Sequence, residues 1–301
     1  MKLQEAYYNL RFENVFLRAK GDEFQTFFEC LMGLAYKEDF MACRPWGKEG
    51  DRKNDGFLKS ERRFFQVYAP NEMKATEAIK KITEDFEGAK AHWGKHFDIW
   101  VFVHNAVDGL PPHVHQCLLD FESKNEGITL QPWGLEELRS VFRRIPQEGL
   151  TSWLGHAPTE VTKARLGFKD LQVVLESLAA KTSPYITDVK AVPAGKIEAN
   201  DLSESVVILI KNGMTKTPLV SNFLESWYDE TLGDRLAAAF RAEYDRLHSK
   251  ALHPNRIYSQ LQEWAGGSTL GSAEHQMAVF TVLAYYFERC DIFEEPRDVP
   301  S

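Results

Sequence analysis

Cysteine is scarce in this 301-residue chain: Cys30, Cys43, Cys117 and Cys290 are its four, widely separated and without a CxxC spacing. That distribution excludes a disulfide framework and a cysteine-based zinc site, and it implies reduced thiols in a cytosolic protein. No apolar run approaches the roughly 18 residues of a membrane span. Residues 1–9 lack the charged-then-apolar layout of a secretory leader, so none is expected. Internal repeats and low-complexity tracts are missing as well. So are a GxSxG elbow, a GxxxxGK[ST] loop and a GxGxxG turn, which removes the main serine-hydrolase, P-loop and dinucleotide-binding signals. Basic charge is in deficit too. A formal net charge of −8 excludes a general polyanion binder and leaves nucleic-acid contact to a local basic patch or to carboxylate-held cations.

What is present is an ordinary globular composition, 44% hydrophobic and 27% charged. A chain of this length can bury a substantial core. Phe24, Phe27, Phe28, Leu31 and Leu34 recur at helical spacing, so Asp22 to Tyr36 reads as an amphipathic helix with Asp22 as its cap. A glycine-rich, charged loop runs from Arg44 to Gly56. Phe57-Leu58 begins a short strand, and Arg63 to Pro70 is a strand closed by proline. A helix over Asn71 to Lys90 follows, with Asn71 or Thr76 as candidate caps. The apolar run Phe97 to Val103 has the character of a buried central strand. Pro112–Ser123 reads as helix, Gly127–Gln131 as strand and Gly134–Arg144 as helix. Such alternation implies an α/β layer with a partly parallel sheet.

Beyond about Gly155 the strand signals almost vanish. Phe168 to Ala180 reads as helix and Thr182 to Ala199 as linker. Helices then fall near Leu202–Asn212, Pro218–Tyr228, Leu232–His248, Pro254–Trp264 and Ala273–Cys290. Pro218 and Pro254 sit where a first-turn proline is tolerated, and Gly213, Gly233 and Gly266-Gly267 act as punctuation. The expected organisation is an α/β domain over residues 1–155, a helix and linker over 156–198, and an α-helical association domain over 199–301.

Chemistry concentrates in Gly50-Asp51-Arg52-Lys53-Asn54-Asp55-Gly56 and the strand that carries Gln66-Val67-Tyr68. Alternate strand residues share a face, so Gln66 and Tyr68 point the same way as Phe64. The eleven residues from Asp55 to Gln66 are enough for a strand and a turn that set the two side by side. Carboxylates so placed suit Mg²⁺, which takes oxygen ligands and keeps several waters. Lone Asp-Gly and Asn-Asp pairs are also ordinary turn chemistry. Lys48 to Arg63 holds six basic and four acidic side chains. Arg52, Lys53 and Lys59 are therefore the candidate phosphate contacts, with Arg139, Arg143 and Arg144 either further contacts or a solvated face. His113, His115 and Cys117 have a strand-like spacing inside a helical stretch and would splay. His92 and His96 have no third ligand in view.

On these residues the chain resembles the Mrr-like branch of the restriction-endonuclease (PD-(D/E)XK) superfamily, whose pattern is G-D-x-x-x-D-G followed by Q-x-K on the next strand. The resemblance covers roughly residues 20–145 and implies a restriction-endonuclease-like α/β fold, a mixed sheet flanked by helices. The stretch from Pro45-Trp46-Gly47 through Gln66 to Glu72, with Trp100 to Asn105, is similar to ABC-three-component system proteins. These are similar to components of Lamassu-like bacterial defence operons, which pair a nuclease-like effector with an SMC-like ATPase. The resemblance implies Mg²⁺-dependent hydrolysis of DNA phosphodiester bonds. Asp55 would be the principal metal ligand, Asp51 and Glu29 (or Glu23, on the same helix) further ligands, and Gln66 part of the catalytic set. It also implies an SMC-like ATPase and an accessory subunit as partners, with homo-oligomerisation through the C-terminal helices. One departure stands out: the motif lysine is replaced by Tyr68, a phenol uncharged near neutral pH. Either Lys74 on the next helix supplies the ammonium, or catalysis is lost and the fold serves as an adaptor that binds DNA or a partner.

Overall fold

In a computed structural model the described residues are 1–43, 54–179, 196–267, 272–289 and 292–293. Asp51, Arg52 and Lys53, and most of the expected linker, lie outside them. The chain divides into two compact units. One is Phe12–Gly149; the other joins Met1–Arg11 to Leu150–Ser301.

The Phe12–Gly149 unit is built on a five-stranded mixed sheet in the order β1-β2-β3-β4-β5. Its strands are β1 (Phe40–Ala42), β2 (Gly56–Leu58), β3 (Arg63–Tyr68), β4 (Ile99–His104) and β5 (Thr129–Trp133). β1, β2 and β3 pair antiparallel, whereas β3, β4 and β5 run parallel. The parallel half follows from the connections: α3 (Ala75–Trp93) links β3 to β4, and α4 (Pro112–Lys124) links β4 to β5. β4 is buried on both faces, with Trp100, Val101, Phe102 and Val103 all inaccessible, as its unbroken apolar run requires.

One face of the sheet packs against α3 and α4 through Phe64, Ile82, Phe86, Trp100, Phe102 and Val114. The other receives α2 (Asp22–Tyr36): Phe28 and Phe40 both meet Phe65, with ring centroids 5.3 and 6.2 Å apart. α1 (Leu3–Arg18) belongs to both units; its second half adds Phe12 against Phe27 and Phe142, and Phe16 against Phe24. α5 (Leu135–Phe142) closes the unit.

Several local expectations are corrected. Asp22 is the first helical residue of α2 rather than its cap; Gly21, at φ 50°, occupies the cap position without a side-chain bond. Neither Asn71 nor Thr76 caps α3, whose cap residue is Lys74. Gly213 and Gly233 lie inside helices rather than between them.

The second unit has helices and no strand among its described residues. It contains α6 (Gln147–Leu154, from Leu150 on), α7 (Glu160–Arg165), α8 (Phe168–Ala179), α9 (Lys196–Ala199), α10 (Glu204–Met214), α11 (Thr217–Ser226), α12 (Leu232–His248), α13 (Pro254–Trp264) and α14 (Ala273–Glu288). α14 is buried all round, from Gln276 to Phe287, and forms the axis of this unit. Tyr7 packs edge-on against Phe280, and the Tyr8 hydroxyl meets Thr151 at 2.9 Å. Those contacts hold the first turns of α1 to the helical unit. No helix among the described residues is long and apolar enough to cross a membrane.

Candidate functional site

The site lies where the β2–β3 ladder ends. Asp55 stands directly before β2, opposite Gln66, and its N–H donates to the Phe65 carbonyl at 3.0 Å. Where the next backbone carbonyl of a longer β2 would lie, the Asp55 carboxylate takes over. Its Oδ2 accepts from Val67 N at 2.6 Å and from Gln66 Nε2 at 2.7 Å. Asp55 and Gln66 are each 3% exposed. The flanking residues hold this geometry. Asn54 Oδ1 accepts from Gly56 N at 2.9 Å, an Asx turn. At Gly56 a Cβ would stand 2.6 Å from the Phe40 ring, so the Asp-Gly pair is needed for packing as well as for the turn.

From the opposite side α2 contributes Gln25 and Glu29, one turn apart on one face. Gln25 Nε2 donates to Asp55 Oδ1 and to Glu29 Oε1, each at 3.3 Å. Asp55, Gln66 and Glu29 are therefore brought to one place, with Gln25 as the bridge. Reading the sequence missed Gln25. Its only signal was its place four residues before Glu29 on the same helix.

The donor set fits a hard divalent cation in part. Two carboxylates and a primary amide supply oxygen ligands. The Gln66 amide is oriented by giving its Nε2 to Asp55, which leaves its buried Oε1 with no hydrogen-bond donor among the described residues. An acceptor orphaned in this way costs about 1–3 kcal/mol unless something binds it. Against a full site, no group of three or more His, Cys, Asp or Glu able to hold a metal occurs among the described residues. Asp51 lies outside those residues.

The remaining candidates are placed elsewhere. Tyr68 is half-buried in the α3–α4 core, its ring 5.9 Å from that of Phe102. Burial, and then the charge of Glu77, raise its pKa further, so it supplies no charge. Lys74 caps α3 with its ammonium 3.9 Å from Glu72 and 3.8 Å from Glu77, and its side chain is 54% exposed. Lys59 follows β2 at the end of the strand opposite Asp55, and its backbone N–H donates to Asp39 O. Arg139 is held by Glu13 at 2.9 Å and by Glu136, Arg144 lies over the Tyr36 ring, and Arg143 is exposed. His113 and His115 are exposed on α4.

At the C-terminal ends of the parallel strands, His104 is 4% exposed, and its Nδ1 accepts from Ala106 N at 3.2 Å. Burial, and then the charge of His115, lower its pKa to about 4. Asn105 donates to the Pro70 carbonyl at 3.2 Å and ties the end of β4 to that of β3.

No curated protein and no solved structure matches the chain at a significant level. Residues 169–294 match the family model described as C-terminal domain 10 of the ABC-three component (ABC-3C) systems, which supports membership of such a system.

Proposed function

We propose that this protein is a component of a bacterial anti-phage defence system whose Phe12–Gly149 unit is a nuclease-type domain of the restriction-endonuclease-like class, hydrolysing DNA phosphodiester bonds with Mg²⁺. The observation that carries the proposal is the 2.7 Å meeting of the Asp55 carboxylate and the Gln66 amide at the end of a β-hairpin, joined to Glu29 through Gln25. Asp55 and Glu29, with Asp51, would hold the cation. Bound Mg²⁺ would polarise the phosphate and supply hydroxide. Gln66 orients Asp55 and offers its amide oxygen. Lys74 is the candidate ammonium: among the described residues its partners are two long surface ion pairs, which leave it able to turn toward a bound phosphate. Arg52, Lys53 and Lys59 would contact the DNA backbone.

The helical unit would be the association module, joining the nuclease to an SMC-like ATPase, an accessory subunit or a second copy. In its favour, the rings of Phe168, Phe223, Trp227 and Tyr228 form a continuous ladder that ends at Tyr228, 89% exposed.

A second reading, a catalytically silent adaptor of the same fold, is favoured by Tyr68, whose phenol is packed into the α3–α4 core where the resembling family places its lysine. Incubation of the full chain with plasmid and Mg²⁺ or Mn²⁺, with and without its system partners, separates the two. Cleavage that is lost in Asp55→Asn and falls at least tenfold in Lys74→Ala supports the nuclease. No cleavage by the wild type under any of these conditions supports the adaptor.

A further inference from the structure

Three non-helical stretches of the helical unit meet around a cavity of about 320 Å³. Asn200 and Asp201 come from the turn between α9 and α10, Ala251 and Leu252 from the turn between α12 and α13, and Phe293 from the chain beyond α14. Hydrogen bonds hold these walls together. Ser203 N donates to Asn255 Oδ1 at 2.8 Å, and Lys196 Nζ donates to the Phe287 and Ile292 carbonyls at 3.0 and 2.5 Å. Each stretch also passes through the left-handed backbone region at a residue that carries a Cβ: Asp201 at φ 44°, Ala251 at φ 50° and Phe293 at φ 67°. The described residues contain five such positions, so three of the five border this one cavity. Aspartate tolerates the conformation, whereas alanine and phenylalanine gain no local bond from it, and Ala251 stands just after α12 where glycine usually serves. Such backbone persists where the surrounding packing dictates it, and it gathers at ligand sites.

Exposure sorts the lining into a polar mouth and an apolar floor. Tyr244 and Phe293 are buried, with ring centroids 5.2 Å apart, and Ile257 is buried beside them. Asp201 is exposed, as is His248, whose ring stacks 5.5 Å from that of Tyr244. Asp201 is the one acidic residue of the lining, and no lysine or arginine lines the cavity among the described residues. Its carboxylate has no hydrogen-bond or ion-pair partner among them either. We propose that this cavity binds a small organic cation, an ammonium or guanidinium on an apolar body. The body lies on the Tyr244, Ile257 and Phe293 floor, and the cation stands at the mouth beside Asp201. Aromatic ring faces are electronegative and add to the preference for a cation. An anion of the same shape meets the Asp201 charge and is rejected. The volume suits one ligand of modest size. The lining residues all fall within 169–294, and none belongs to the site around Asp55, so this inference goes beyond the nuclease reading and stands apart from it.

The test is ligand-observed NMR titration of the full chain with phenethylammonium, with neutral 2-phenylethanol and anionic phenylacetate as controls of similar shape. Phenethylammonium is expected to bind with a Kd of about 1 mM, as suits a ligand of its size, and both controls about fivefold or more weakly. Asp201→Asn removes the charge at nearly constant volume; it should weaken the ammonium about fivefold and leave 2-phenylethanol unchanged. Leu252→Trp fills the cavity from its turn and should abolish binding of both. Circular dichroism and Tm of the two variants check that they fold. Free amines and the lysine or arginine side chains of a partner protein offer the same chemistry, so N-acetylarginine methylamide forms a second arm. Tighter binding of that blocked residue than of phenethylammonium assigns the site to a partner's side chain, and the reverse order to a free amine; either order, lost in Leu252→Trp, supports the proposal. Phenylacetate binding as tightly as phenethylammonium overturns it, as does ammonium binding that survives unchanged in both folded variants. Absence of binding by every probe overturns the cavity as a ligand site.

Discussion

Asp55→Ala is expected to destabilise the α/β unit whether or not the protein cuts DNA. The Asp55 carboxylate takes the role of a backbone acceptor at the end of the β2–β3 ladder, receiving Val67 N at 2.6 Å and Gln66 Nε2 at 2.7 Å on one oxygen. Hydrogen bonds to a charged acceptor contribute about 1.5–3 kcal/mol each. Val67 is half-buried, so water can serve its N–H in the variant, whereas the Gln66 amide is enclosed. The expected loss is therefore about 3 kcal/mol rather than the full sum. Asparagine in the same place can keep an oxygen toward Val67 and Gln66 while its amide nitrogen meets the long Gln25 contact, so Asp55→Asn should lose about 1 kcal/mol. Amide hydrogen exchange of peptides from β3 reads this unit separately from the helical one. Exchange there should quicken about a hundredfold in Asp55→Ala and severalfold in Asp55→Asn, taking 1.4 kcal/mol per factor of ten. Exchange in Asp55→Ala within threefold of wild type would show that the carboxylate contributes nothing to the fold. Slower exchange would identify it as a strained group whose removal relieves the structure. Either result refutes the reasoning.

His104 has a folded-state pKa lowered to about 4 from the usual 6.5, chiefly by burial. The unfolded chain therefore binds the extra proton between those values. Stability is full above pH 6.5 and falls by about 3 kcal/mol as the pH drops to 4, a slope that His104→Asn should abolish in urea titrations at pH 7, 5.5 and 4. In the helical unit, a Cβ at Gly213 would lie 2.5 Å from the Phe280 carbonyl oxygen and 2.7 Å from the Ala284 Cβ. Gly213→Ala should therefore lower stability by about 3 kcal/mol, measured by urea unfolding; a loss below about 0.5 kcal/mol would mean that α10 and α14 part readily.

Much of the fold was legible because its signals are local and periodic. β4 announced itself by an apolar run too short for a helix, α12 has the bounds that its apolar stripe suggests, and α13 those that Pro254 and its own stripe suggest. α1 was missed because it is buried nearly all round, with Arg11, Glu13 and Asn14 enclosed, and so lacks the polar face that gives a helix its period. β1 was missed because three residues are too few to show alternation. Gly213 was taken for a helix end because a helix pressed closely against another and a helix terminus ask for the same residue.

At the site, the chain order alone was enough to pair Asp55 with Gln66, since an antiparallel hairpin turns sequence spacing directly into register. Gln25 needed the tertiary structure, and Glu29 was offered only by the resemblance: both lie some thirty residues earlier, on a helix that reaches Asp55 only after packing on the sheet. Tyr68 and Lys74 likewise carry their chemical identities in the sequence, but only packing decided that the phenol is turned into the core and the ammonium out toward solvent. Residue type and local period are properties of neighbouring atoms along the chain. Which groups share a site depends on surfaces that meet only once the core has formed.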